Sequence, residues 1–193
     1  MYLTYINAAV LVLSTAMTGA QTVDWPYYGG DQGGMKYSTL TQVTKQNVGQ
    51  LKLAWEWNTG ETTLKEYGTT PGVFEATPLV VAGTMYVVTG YNRVVALDPV
   101  TGKQKWGYDP EAYKMGQVPN GTGFVHRGIA LRKDPANGKY TVYLNTRATL
   151  VALDAESGKP IPSFGKDGKV NLLEGLRWEV DPKRYTNTSP PLV

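Results

Sequence analysis

One nine-residue pattern occurs twice and limits what this chain can become. Val95-Ala-Leu-Asp-Pro-Val-Thr-Gly-Lys103 returns as Val151-Ala-Leu-Asp-Ala-Glu-Ser-Gly-Lys159, an offset of 56 residues. Each copy reads as a strand ending in Leu-Asp, a tight turn, and a second strand starting after Gly-Lys. The aspartate suits the turn because its carboxylate accepts backbone N–H groups, and the glycine because it takes positive φ at little cost. Strand-like runs precede both copies, Met85-Tyr-Val-Val-Thr89 and Tyr140-Thr-Val-Tyr-Leu144. An aromatic follows each turn, Trp106 and Phe164, placed to pack between layers. Leu51-Lys-Leu-Ala-Trp55-Glu-Trp57 reads as a degenerate third return, the last strand of an earlier unit.

Units of about 40 to 50 residues, each with several short strands and a fixed turn, are the mark of β-propeller blades. The fold class is therefore all-β, a partial β-propeller. Helical periodicity is absent over any three turns, and 39–51 leaves room for one short helical turn only. The chain has 193 residues. Without a leader it supplies about three blades, whereas closure needs at least ~4. Residues 21–193 thus read as the N-terminal part of a larger propeller, incomplete where Pro190-Pro-Leu-Val193 starts a new strand.

Residues 8–17 are a short apolar stretch followed by the small residues Thr18, Gly19 and Ala20. This is the layout of a secretory signal peptide over residues 1–20, with Gln21 the first mature residue. The alternative is an apolar N-terminal strand or helix. The stretch is too short to span a membrane, which takes ~20 apolar residues. Export to a periplasm or the exterior is the expectation. The chain has no cysteine and a single histidine, His126. Disulfides, thiolate metal sites, cysteine nucleophiles and His-based zinc sites are excluded together. A formal charge of +3, spread along the chain, does not argue for nucleic acid.

Several segments resemble, in order, the quinoprotein dehydrogenases that use pyrroloquinoline quinone (PQQ). They are Asp24-Trp-Pro-Tyr-Tyr-Gly-Gly-Asp31, Lys36-Tyr-Ser-Thr-Leu-Thr-Gln42 and Asn47-Val-Gly-Gln-Leu-Lys-Leu-Ala-Trp55. Phe74-Glu-Ala-Thr-Pro-Leu79, Gly102-Lys-Gln-Lys-Trp106 and His126-Arg-Gly-Ile-Ala130 follow. Lys159-Pro-Ile-Pro-Ser-Phe-Gly165 and Thr188-Ser-Pro-Pro191 complete the set. Within the family the sequence is most similar to the membrane-bound type of quinoprotein glucose dehydrogenase.

The resemblance implies an eight-bladed propeller with PQQ across its axis and a divalent cation, usually calcium, at the quinone. It implies oxidation of a sugar or alcohol by hydride transfer to PQQ, with electrons leaving to ubiquinone or a cytochrome c. Peripheral association with a membrane is compatible with that electron path. Three positions match the family's cofactor contacts: Glu75, Arg127 and Thr188. Arg127 matches the arginine that pairs with a PQQ carboxylate, and Thr188 sits where a hydroxyl is offered. The calcium ligands and the base aspartate of the family fall beyond Val193, so no catalytic or metal-binding residue is assigned here. The isolated chain is expected to be inactive and to hold PQQ weakly.

The residue types fit this chemistry. PQQ carries three carboxylates on a planar aromatic core, and an arginine fork pairs with such a group bidentately. Glu75 needs another explanation, since a carboxylate repels carboxylates. Protonation, or a ring N–H or O–H as its partner, would resolve this. Taken one at a time, Glu75 is a solvated strand-edge acid, Arg127 a surface arginine and Thr188 a strand lead-in. His126 stands where family members often carry cysteine, and reads as a hydrogen-bonded, partly buried imidazole that could pack under the quinone. The Gly29-Gly-Asp-Gln-Gly-Gly34 run lacks the Lys-Ser/Thr of a phosphate loop and is a turn. Asp98 and Asp154 belong to the repeated turns. The other function class left open is a non-enzymatic propeller scaffold of the outer-membrane assembly type.

Overall fold

The computed structural model describes residues 23–193; the leader expected over 1–20 lies outside them. Eight strands form two four-stranded antiparallel sheets in sequential order. The first holds β1 (Leu79–Val81), β2 (Thr84–Val88), β3 (Val94–Leu97) and β4 (Gln104–Tyr108). The second holds β5 (Ala130–Lys133), β6 (Tyr140–Thr146), β7 (Thr149–Asp154) and β8 (Lys169–Asn171). Val81 pairs with Thr84 around Ala82 and Gly83, both at positive φ. That is the two-residue hairpin loop whose twist matches its strands.

Period-two alternation decides where the core lies. Leu79, Val81, Tyr86, Val88, Val94 and Ala96 project from one face of the first sheet. They meet Ile129, Leu131, Val142, Leu144, Val151 and Leu153 from the second. Such side chains contribute roughly 1.5–3 kcal/mol each when fully buried. The opposite face of the first sheet is also covered: Met85, Val87, Val95 and Leu97 pack against Trp55 and Trp57. All four residues of β3 are buried for that reason.

The repeated turn forms as expected in both places. Asp98 N–H donates to Lys103 O (2.8 Å) and Gly102 N–H to Asp98 O (2.8 Å). Asp154 N–H donates to Lys159 O (2.9 Å) and Gly158 N–H to Asp154 O (2.8 Å). Asp98 Oδ1 accepts from the Val100 and Thr101 N–H groups, and Asp154 Oδ1 from Ser157 N–H. Hydrogen bonds, led by the Thr101 N–H at Asp98 and by the Ser157 hydroxyl (2.7 Å) at Asp154, hold both carboxyls below their ordinary pKa. A third copy was not anticipated. Asp134 N–H donates to Lys139 O and Gly138 N–H to Asp134 O, both at 2.8 Å, closing the β5–β6 connection.

Tryptophans lock two of these turns to neighbouring segments. Trp106, in β4, donates its indole N–H to Ala155 O (3.1 Å) across the sheet interface. Trp55 does the same to Pro99 O (3.1 Å). A Cβ on Gly158 would come within 2.5 Å of the Trp106 ring, and one on Gly102 within 2.6 Å of Trp55. Glycine is thus required there twice over, by close approach and by φ near +70°.

Two expectations need correction. The segment 51–57 forms no strand among the described residues; it contributes Trp55 and Trp57 to the packing against the first sheet instead. The earlier unit it would have ended is not formed among the described residues either; the two four-stranded sheets fit the all-β partial propeller expected. The Phe164 ring meets Tyr143 of its own sheet, with ring centroids 5.6 Å apart. The short helical turn does form, at Val48–Gln50.

Candidate functional site

In antiparallel sheets the chain alternates between two ends. The Asp…Gly-Lys turns after β3 and β7 lie at one end. The lead-ins to β1 and β5, with the β2–β3 and β6–β7 turns, lie at the other. Glu75 stands four residues before β1 and Arg127 three before β5, so the sheets deliver both to this second end.

Backbone bonds join the lead-ins. Thr77 N–H donates to Arg127 O (3.1 Å), and Arg127 N–H donates to Thr188 O (2.9 Å). Successive segments are thereby tied in series, and the side chains of the three expected residues converge. The Arg127 guanidinium donates through Nη1 to Thr188 Oγ1 at 2.8 Å. Its Nη2 lies 3.4 Å from Glu75 Oε2. The Arg127 side chain is 51% exposed and that of Glu75 44%. The acid that looked misplaced beside an anion therefore faces the arginine, a partner the sequence reading did not supply for it.

Behind the cluster the fold is closed. His126 is 2% exposed. Its Nδ1 accepts from Gly128 N–H (3.3 Å), which leaves the proton on Nε2. Nε2–H donates to Asn145, at 2.8 Å from the backbone oxygen and 3.1 Å from Oδ1. Burial pulls the imidazole below its ordinary pKa, so it is neutral. His126 is thus the hydrogen-bonded core histidine of the plainer sequence reading. The two sheets are also cross-linked at this end. Asn92 Nδ2–H donates to Phe124 O (2.7 Å), and Thr146 Oγ1–H to Asn92 Oδ1 (2.9 Å).

A largely apolar hollow of about 410 Å³ opens nearby. Tyr27, Tyr28, Leu79, Ile129 and Pro191 line it, and Arg127 and Thr77 stand in its wall. Glu75 and Thr188 take no part in that lining, so the hollow neighbours the cluster without being its seat. Asp98 and Asp154 sit in the turns at the far end and join no site. Among the described residues no group of three or more His, Asp or Glu side chains is arranged to hold a metal ion. Asn145 and Asn187, which brace the cluster, were invisible to sequence reasoning because nothing in their local motif marks them.

Two stacked four-stranded sheets with sequential strands, a tryptophan locking one to the next and charged residues gathered at the lead-ins define a segment of a β-propeller. The chain belongs to the family described as "PQQ: Glucose/ethanol/alcohol dehydrogenase, beta-propeller domain", whose model matches residues 25–193. Quinoprotein glucose dehydrogenase A of Acinetobacter calcoaceticus is 32% identical, covering 92% of this chain and 24% of that protein. Quinohemoprotein alcohol dehydrogenase of Comamonas testosteroni is 41% identical over 74% of this chain and 18% of its own length. The crystal structure of the latter aligns with a TM-score of 0.60 at 34% identity, covering 82% of this chain and 21% of that one. The chain thus spans about a quarter or less of the length of these relatives.

Proposed function

We propose that this chain forms part of a PQQ-dependent dehydrogenase that oxidises a sugar or a primary or secondary alcohol, with a glucose-type substrate the first choice. Electrons would pass to ubiquinone or a cytochrome c, in a periplasmic or secreted setting. Glu75, Arg127 and Thr188 would hold the cofactor. The names of the relatives, glucose and alcohol dehydrogenases among them, support this reading.

The observation that carries it is the Arg127 fork, held between an acid and a hydroxyl yet half open. A guanidinium offers five N–H donors; one reaches Thr188 and the Nη2 edge faces Glu75. Donors are left for a carboxylate, and the fork's direction is already set. An ion pair this exposed adds only about 0–1 kcal/mol to stability, so folding alone does not account for it. Val73 and Phe74, directly before Glu75, are exposed and apolar, which suits a planar ring beside the charges. A scaffold has no use for such an arrangement.

When bound, PQQ supplies the hydride acceptor. The chain's own part is recognition: Arg127 neutralises a carboxylate, Thr188 adds a neutral donor or acceptor, and Glu75 limits the net positive charge and can accept from a ring N–H or O–H. The base and the calcium ligands would come from elsewhere in the complete protein.

The test is dye-linked oxidation by the complete protein reconstituted with PQQ and calcium. Turnover of glucose, or of ethanol or glycerol, that requires added PQQ is expected. Absence of PQQ-dependent oxidation across such a panel would overturn the reading.

A further inference from the structure

The pairing of Arg127 with Thr188 joins residues 61 positions apart, and the second lies in a segment with no regular secondary structure. Something must hold that segment against the lead-in to β5. The β6–β7 hairpin does so at two points. Asn145 Nδ2–H donates to Ser189 O at 2.9 Å. Asn187 Nδ2–H donates to Arg147 O at 2.8 Å. Thr188 lies between the two clamped residues.

Asn145 also reaches the other side of the pair. Its backbone oxygen and its Oδ1 both face His126 Nε2, at 2.8 and 3.1 Å. A single carboxamide therefore touches the residue before Arg127 and the residue after Thr188. Its orientation has one solution: the N–H end must meet the Ser189 carbonyl, which leaves Oδ1 for the histidine N–H. The platform is rigid as well, since Asn145 pairs in register with Leu150 inside the β6–β7 hairpin.

We propose that Asn145 is a positioning residue for the cofactor cluster, holding the flanks of Arg127 and Thr188 at a fixed spacing so that the guanidinium is aimed before PQQ arrives. This rests on the reading that the cluster binds PQQ. An arginine forked in advance loses less rotamer freedom on binding, and misplacement by a fraction of an ångström weakens a bidentate contact. Arg147 backs the same hairpin. It is 4% exposed, bonds to Gly116 O at 2.9 Å and lies over the Phe124 ring at 5.5 Å.

The experiment is a double-mutant cycle in the complete protein, with PQQ binding followed by quenching of tryptophan fluorescence and melting temperature recorded in parallel. Asn145→Ala is expected to raise the PQQ dissociation constant about tenfold, the scale of supporting-residue effects at other sites. In an Arg127→Ala background the same substitution should change it less than about twofold, because the guanidinium it aims is gone. A merely structural asparagine would lower the melting temperature equally in both backgrounds and shift affinity equally or not at all. Asn145→Asp, isosteric but without the donor to Ser189, serves if the alanine variant does not fold, with the same expected loss. Affinity within twofold of the parent in the Asn145 variants, or an equal loss in both backgrounds, overturns this inference alone. Unchanged affinity in Arg127→Ala overturns the cofactor reading and this inference with it.

Discussion

After Leu97 and after Leu153 the chain makes the same turn with the same hydrogen bonds, yet the two sheets then diverge. In the first sheet Gly102-Lys103 leads straight into β4, a five-residue strand that pairs with β3 through one register shift at Ala96/Leu97 and carries Trp106 to its neighbour. In the second, Lys159 is followed by Pro160 and Pro162, which have no N–H for the ladder. A single bridge, Leu153 to Pro160, forms there, and pairing resumes only at the three-residue β8. The aromatic of this detour, Phe164, stays on its own sheet against Tyr143. The turn therefore sets where a strand ends, and the residues after it decide how soon the ladder resumes.

The comparison can be broken most directly at its aromatics. Trp106→Ala should cost about 3 kcal/mol or more, the usual scale for a packed tryptophan, with an indole hydrogen bond lost besides. Phe164→Ala should cost less, since it removes a ring contact with Tyr143 and no hydrogen bond. Denaturation midpoints of the two variants in the complete protein measure the difference, and equal losses would mean that both aromatics act as interlayer locks.

A smaller effect separates the docked turns from the free one. Gly158→Ala drives a methyl into the Trp106 ring, whereas Gly138 has no neighbour nearer than Lys133 Cε at 3.9 Å. Both sit at positive φ. Gly138→Ala should cost about 1 kcal/mol of backbone strain, and Gly158→Ala distinctly more. Chemical denaturation of the pair checks the ordering.

The smallest expected effect concerns acid. His126 titrates below the ordinary imidazole value of 6.5 because it is buried. The unfolded chain then binds a proton more readily than the folded one between those two values. Its contribution is therefore complete above pH 6.5 and declines as pH falls toward the folded value. Stability measured from pH 7 to pH 5 should drop in the parent and flatten in His126→Gln, which keeps an N–H for Asn145. A parent profile no steeper than that of the variant would contradict this.

The legible part of the fold was the turn. Asp, Gly and Lys at fixed spacing report local chemistry, so both copies were found. The third, at 134–139, escaped because Leu-Arg-Lys precedes it instead of Val-Ala-Leu. The same chemistry hides behind a different strand. Residues 51–57 have strand composition but no partner among the described residues, and pairing is not a property of the segment itself. The site was legible in part. Glu75, Arg127 and Thr188 are ordinary surface residues one at a time, and the family resemblance alone brought them together. That Arg127 answers the charge of Glu75, and that Asn145 braces the pair, depends on which lead-ins meet after two sheets have stacked.

The central claim is that an arginine aimed by an acid and a hydroxyl, on three joined segments, receives a carboxylate of the quinone. A crystal structure of the complete protein with PQQ bound tests it most directly. A PQQ carboxylate within hydrogen-bond distance of the Arg127 guanidinium, with Thr188 and Glu75 beside it, is the expected result. PQQ seated elsewhere, with Arg127 still turned wholly to Glu75 and Thr188, would contradict it.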